Sequence, residues 1–150
     1  MNLELATEKL KNYCAYQERS HQEVKEKLYK LGLYKKEVNE VITRLIEEDF
    51  LNEQRFAEAF VSGKFNIKKW GRVKIKAHLK QRQISEYCIK KGLEEIEEEA
   101  YLKTLEYWIQ RKNREISEPD SFKKKGKIAA FVIQKGFESG LVWEYVNALK

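Results

Sequence analysis

The residues of this chain best able to do chemistry are cations. Between Gly63 and Lys91 it carries Lys64, Lys68, Lys69, Arg72, Lys74, Lys76, Lys80, Arg82, Lys90 and Lys91 against one acid, Glu86. A stretch of that composition can neutralise phosphates or the acidic surface of a protein assembly, and Trp70 and Phe65 within it offer rings for stacking on bases. A solvated helix face with both rings in the core would read the same way. The candidate binding residues are therefore Lys64, Lys68, Lys69, Arg72, Lys74, Lys76, Lys80 and Arg82. A second basic cluster is formed by Arg111, Lys112, Arg114, Lys123, Lys124, Lys125 and Lys127. Acid gathers elsewhere, at Glu47, Glu48 and Asp49 and again from Glu94 to Glu99.

Other chemistries lack their parts. No phosphate-binding GxxxxGK[ST] loop and no GxGxxG fingerprint is present. His21 and His78 lie far apart with no acid or cysteine at metal-ligand spacing, and Cys14 and Cys88 sit singly in apolar helical patterns, as small core residues of a reducing compartment do. Carboxylates such as Glu48 with Asp49, or those of residues 94–99, stand in charge-rich runs instead of the apolar pocket that a general acid needs. We therefore expect no catalytic residue, no metal site and no cofactor.

The cations are carried by elements that repeat. Val24, Leu28, Leu33, Val38, Ile42 and Leu45 are followed at an offset of 51 by Ile75, Leu79, Ile84, Ile89, Leu93 and Ile96, and at a further 53 by Ile128, Val132, Phe137, Val142, Val146 and Leu149. Within each copy the steps of three to five residues describe two amphipathic helices separated by a turn. Gly32 and Gly136 fit helix-ending positions, with Gln83 at the same place in the second copy, and Ser85 and Ser139 follow as caps for the next helix. Ser20 with Glu23 forms a capping box ahead of Val24. A further helix precedes each pair, stepping through Leu3, Ala6, Leu10 and Tyr13, then Phe56, Ala57, Phe60 and Val61, then Leu105, Trp108 and Ile109. Residues 113–122, with Pro119 and Asp120, form a longer loop that accounts for the larger second offset.

The expected fold is all-α, with three tandem three-helix repeats at residues 1–49, 50–98 and 99–150 stacked into an elongated, curved molecule. Its long concave face suits an extended partner better than a small substrate. At 150 residues a core can form. Charged residues make up 36% of the chain alongside evenly spread apolar ones, which suits a folded helical protein. The net charge of +6 favours a polyanionic partner. Without an apolar run of membrane length or a signal-peptide core in Met1–Lys11, the chain reads as soluble and cytoplasmic.

The run from Asp49 to Ile84, DFLNEQRFAEAFVSGKFNIKKWGRVKIKAHLKQRQI, resembles the signature of the RecX family through Phe50, Leu51, Asn52, Arg55, Phe56, Ala57, Val61, Lys64, Gly71, Ile75, Leu79 and Ile84. Arg19, Ser20, Glu23, Val24, Leu28, Gly32 and Leu33 resemble the family's first-unit motif. The departures concern turns: Asp49 and Gln83 stand where the family commonly has glycine, and Asn52 with Glu53 where it often has paired aspartates. The resemblance implies tandem three-helix units, a regulator without enzymatic activity, association with RecA recombinase filaments in their helical groove, inhibition of strand exchange and co-protease activity, and weak affinity for single- or double-stranded DNA. A monomer without membrane attachment is expected. The competing reading of the same charge is a basic helical protein that binds DNA directly.

Overall fold

The computed structural model describes residues 1–150 and contains nine α-helices and no strand. The first unit comprises α1 (Leu3–Tyr16), α2 (His21–Lys30) and α3 (Lys35–Glu47). The second comprises α4 (Glu53–Asn66), α5 (Arg72–Gln81) and α6 (Glu86–Glu94), and the third α7 (Glu98–Glu115), α8 (Ser121–Gln134) and α9 (Ser139–Asn147).

Burial follows the repeat. The first four equivalent positions, beginning with Val24, Ile75 and Ile128, are buried in all three copies. The last two are looser, because Leu93, Ile96 and Leu149 are only half-buried. Ile96 lies beyond the end of α6, where it lines a cleft instead of a helix seam. The apolar clusters do not number three. One core, from Ala6 to Leu51, belongs to the first unit, whereas a single core from Phe56 to Val146 runs through the second and third. Phe50 and Leu51 pack on the first core, although the expected boundary falls at residue 49.

Local chemistry sets the helix ends. Ser20 and Glu23 form the expected capping box, at 3.1 and 3.0 Å. Asn52 accepts from the Arg55 amide at 2.9 Å, so it caps α4 as an aspartate would, and Ser85 accepts from the Cys88 amide at the start of α6. Ser139 does not cap α9: it is that helix's first residue, and Glu138 holds the cap position without a side-chain bond to the helix. The Glu138 carboxylate is committed to the second unit instead, as described below.

The turn between the last two helices of each unit contains a residue with positive φ at the same repeat position, Gly32 at 91°, Gln83 at 59° and Gly136 at 104°. Glutamine thus adopts a left-handed conformation that glycine adopts without steric cost. The ladder is preserved, with the Ile84 amide donating to the Leu79 carbonyl at 3.2 Å, as the Leu33 amide donates to Leu28 at 3.3 Å. Asp49 behaves likewise, with φ 60° and the Phe50 amide on the Leu45 carbonyl at 2.8 Å. Gln83 is exposed, so replacing it with glycine relieves strain without removing packing. The expected result for Gln83→Gly is a gain of about 1 kcal/mol in urea denaturation. A loss of stability would show that the glutamine side chain contributes something its exposure conceals.

Arg55 ties the first unit to the second. Its guanidinium donates to the Glu18 carboxylate and, at 2.9 Å, to the Asp49 carbonyl, and it pairs with the Asp49 carboxylate at 3.2 Å. The second and third units meet more intimately. The amides of Gly71 and Val73, at the start of α5, donate to the carbonyls of Lys135 and Gly136 at 2.9 Å each. The turn between α8 and α9 thereby satisfies donors that a helix N-terminus leaves unpaired.

Candidate functional site

Helix α5 presents its cations along two flanks of the buried Ile75 and Leu79. Arg72, Lys76 and Lys80 follow one row of four-residue steps, and Lys74, His78 and Arg82 follow the other. The second row faces a cluster built on Trp70. The ammonium groups of Lys64 and Lys74 lie 4.9 and 4.4 Å from its ring centroid, and His78 lies 4.6 Å away. Arg82 sits 4.7 Å over Phe60 and donates to the His78 carbonyl at 3.0 Å. Burial, then Arg82, Lys74 and Lys64, pushes the His78 pKa below its ordinary value, which leaves the ring neutral among cations.

Arg72 belongs elsewhere. Its guanidinium stacks 3.8 Å from the Tyr101 ring and pairs with Glu138 at 2.9 Å and Glu98 at 3.1 Å. Its amide donates to the Tyr101 hydroxyl at 3.0 Å, and that hydroxyl donates to Glu138. A residue expected to bind a partner is thus a tie between the second and third units. Lys76, on the same flank, lines a groove of about 480 Å³ with Glu86, Lys90 and Glu94, where acid and base alternate over Ile89 and Leu93. Lys80 is exposed.

The loop from Ile67 to Gly71 is held by the third unit, because the Trp108 indole donates to the Lys69 carbonyl at 2.8 Å. Lys69 has φ 57°, unusual for lysine, and its ammonium lies 5.3 Å from the Tyr107 ring. Lys68 is exposed. Across the junction stands Lys135, 4.7 Å from the Trp108 ring and 5.5 Å from Phe131. Lys112 lies 3.9 Å from Phe131, and Arg111 lies 5.5 Å from Trp108. Burial, then Lys74, Lys112, Arg111 and Lys68, pushes the Lys135 pKa below its ordinary value, so these cations share one neighbourhood.

The two basic clusters of the sequence therefore converge in part. Arg111 and Lys112 join the face shared with α5, although both also bond Glu115, at 2.7 and 2.9 Å, and together hold its carboxyl down to about 2, Lys112 contributing first. Arg114 is exposed. Lys123, Lys124, Lys125 and Lys127 stay toward the start of α8, about 12 to 18 Å along the helix axis from Lys135, where Lys127 pairs with Glu118 at 2.9 Å. Lys135 is absent from the sequence-based candidates, yet it occupies the same repeat position as Arg82, 53 residues on, and the repeat was the signal that could have found it.

The stacking expectation changes as well. Phe65 is 7% exposed and packs on Tyr101 in the core, and Trp70 is enclosed by Lys64, Lys74 and His78, so neither offers a free ring to a base. The largest cleft, about 590 Å³, lies away from this face and is lined by Glu18, Glu58, Glu95 and Glu97 around Arg55. It repels phosphate. Burial raises the Cys14 thiol to about 11 and pushes Cys88 up too, which makes both poor nucleophiles.

Fold and surface together define a class: an all-helical protein of three tandem three-helix units with a basic face across the last two. The sequence matches the first three-helix domain of RecX over residues 6–45, the second over 52–93 and the third over 98–146, and the chain belongs to the RecX family. It is 27% identical over 139 residues to the regulatory protein RecX of Bacillus cytotoxicus, covering 93% of this chain and 52% of that protein. With the regulatory protein RecX of Oceanobacillus iheyensis it shares 29% over 131 residues, covering 87% and 48%. The chain thus spans about half the length of the curated relatives it matches. The crystal structure of RecX from Lactobacillus salivarius superposes with a TM-score of 0.86 at 22% identity, covering 98% of this chain and 97% of that one. No helix is long and apolar enough to cross a membrane.

Proposed function

We propose that this chain binds RecA recombinase filaments and curbs their ATPase, recombination and co-protease activities. It acts in the cytoplasm as a monomer, without a cofactor, and has weak affinity for DNA. One observation carries the reading: α4, α5, α7 and α8 bring lysines to one face at which Lys64, Lys68, Lys69, Lys74 and Lys135 have no carboxylate partner. Uncompensated like charges repel one another, and a polyanionic partner relieves that cost. Membership of a family of regulatory proteins supports the same conclusion.

The test is the rate of single-stranded-DNA-dependent ATP hydrolysis by RecA as the protein is added well below stoichiometry. The rate should fall at low ratios. Reversing Lys64, Lys68 and Lys74 to glutamate, with Arg72 kept because it joins two units, should raise the half-inhibitory concentration at least about tenfold in a salt-sensitive manner. Inhibition that survives the reversal would remove the basic face as the docking surface. An unchanged ATPase rate together with tight binding to bare DNA would favour direct DNA binding instead.

A further inference from the structure

Away from the basic face the surface carries the opposite pattern. The cleft of about 590 Å³ beside Arg55 has an apolar floor of Phe65, Ile96 and Ala100 and a rim of carboxylates. Glu18 on that rim is matched by Arg55, but Glu58 receives only the Gln54 side-chain amide, at 3.1 Å, and Glu95 and Glu97 have no cation. The volume falls within the roughly 300–1,000 Å³ of ligand pockets. A cleft with those walls selects an apolar side chain that arrives among cations, because the apolar group leaves water while each ammonium answers a carboxylate.

The chain itself displays such a side chain. Phe122 is 87% exposed, the most of any large apolar residue, and Lys123, Lys124 and Lys125 follow it without a carboxylate partner, whereas Lys127 pairs with Glu118. Asp120 accepts from the Phe122 and Lys123 amides at 2.9 and 3.2 Å, which fixes where the ring projects from the start of α8. The ring cannot reach the cleft of its own molecule, because α7 spans about 22 Å from Ala100 at the cleft to Glu115 at its far end, beside which α8 begins. Contact between two different patches of one surface runs head to tail between copies. Neither patch overlaps the face of Lys74 and Lys135, so that face stays free.

The contact is small. One phenylalanine buries about 150–250 Å² against the roughly 1,200 Å² of a stable interface, so free chains stay monomeric. Copies lined up along an extended partner meet at a far higher effective concentration. Resting on the filament reading above, we infer that neighbouring copies of this chain on a filament join head to tail, Phe122 of one entering the cleft of the next with Lys123, Lys124 and Lys125 on Glu58, Glu95 and Glu97.

Weak contact between free chains is read by NMR in the absence of RecA. With isotope-labelled chain held dilute and unlabelled chain added to about 1 mM, amide shifts should gather on the α4 and α7 walls of the cleft. Unlabelled Phe122→Ser should produce shifts at least about tenfold smaller, the loss of one buried ring. Labelled Glu58→Lys with Glu95→Lys should not respond to the wild-type chain but should respond to unlabelled Lys123→Glu with Lys125→Glu, an exchange of charge that a misfolded variant cannot show. Shifts that survive Phe122→Ser would mean that another segment fills the cleft and would overturn the contact, as would charge-exchanged variants that fail to meet or a wild-type chain that shows no shift. RecA ATPase measured on the same variants keeps the two readings apart. The wild-type titration should be steeper than a single-site curve, with a Hill coefficient above about 1.5, and Phe122→Ser should lower it to about 1. If the wild-type chain leaves RecA unaffected while the cleft shifts follow Phe122, the head-to-tail contact stands and filament regulation falls. If inhibition is equally steep with and without Phe122, filament regulation stands and the contact between neighbours falls alone.

Discussion

Replacing Gly71 with alanine should destabilise the second and third units by at least about 3 kcal/mol, roughly a hundredfold in the ratio of folded to unfolded chains. A Cβ there would lie 2.4 Å from the carbonyl carbon and oxygen of Gly136 and 2.5 Å from the Phe137 nitrogen. All three atoms are backbone, so no side chain can rotate away and the joint must open. Opening it breaks the bonds from Gly71 to Lys135 and from Val73 to Gly136, worth about 1 kcal/mol each, and leaves the first turn of α5 without acceptors. Gly136→Ala should be comparable, since its Cβ would meet the Lys74 Cβ at 2.3 Å with φ at 104°. Urea denaturation followed by tryptophan fluorescence reports the effect, because Trp70, Trp108 and Trp143 all belong to these two units. Hydrogen exchange should quicken in α5, α8 and α9 while α1 to α3, which surround their own core, stay protected. A midpoint shift worth less than about 1 kcal/mol would mean that the glycine contact is not what joins the units.

That joint marks the boundary of what the sequence makes legible. The three-unit plan could be read because burial at Val24, Ile75 and Ile128 follows from local periodicity, and periodicity repeats. The capping box at Ser20 and the cap at Ser85 are local too, since each side chain reaches only three residues along the chain. The cap expected of Ser139 fails because Glu138 precedes it and is drawn to Arg72 and Tyr101 in other elements, a choice no local pattern encodes. The same applies to the basic residues. Residue type groups Arg72 with its neighbours, whereas only the fold reveals that its charge is already matched by Glu98 and Glu138. Lys135 is a lone base after an apolar helix, and it gains meaning only when Trp108 and Phe131 bring it toward Lys74. Charge count could be read from the sequence, and charge compensation could not.

Removing a single oxygen from the core should cost about 2 kcal/mol. Tyr101 is fully buried, and its hydroxyl accepts from the Arg72 amide at 3.0 Å while donating to Glu138. Tyr101→Phe keeps the ring and its packing against Phe137, 5.0 Å away, and against the Arg72 guanidinium. It leaves the Arg72 amide without an acceptor at the start of α5 and takes a donor from a carboxylate that orients Arg72. The cost is that of unpaired buried groups, not of a cavity. Burial first, and then the bond to Glu138, pushes the Tyr101 pKa above its ordinary value, so the hydroxyl remains a donor in the folded chain after its unfolded counterpart has ionised. The sign follows from linkage. A group whose folded pKa is raised gives its full stabilisation below the unfolded pKa, near 10 for tyrosine, and loses it as pH rises beyond that value. The stability gap between the wild-type chain and Tyr101→Phe should therefore be constant at neutral pH and narrow above about pH 10, while the remaining tyrosines affect both proteins alike. Urea denaturation of the two proteins across that range checks both the size and the slope. A gap near zero at neutral pH would show that the hydroxyl bonds contribute nothing to the joint, and a gap that widened with alkali would contradict a hydroxyl held in its protonated form.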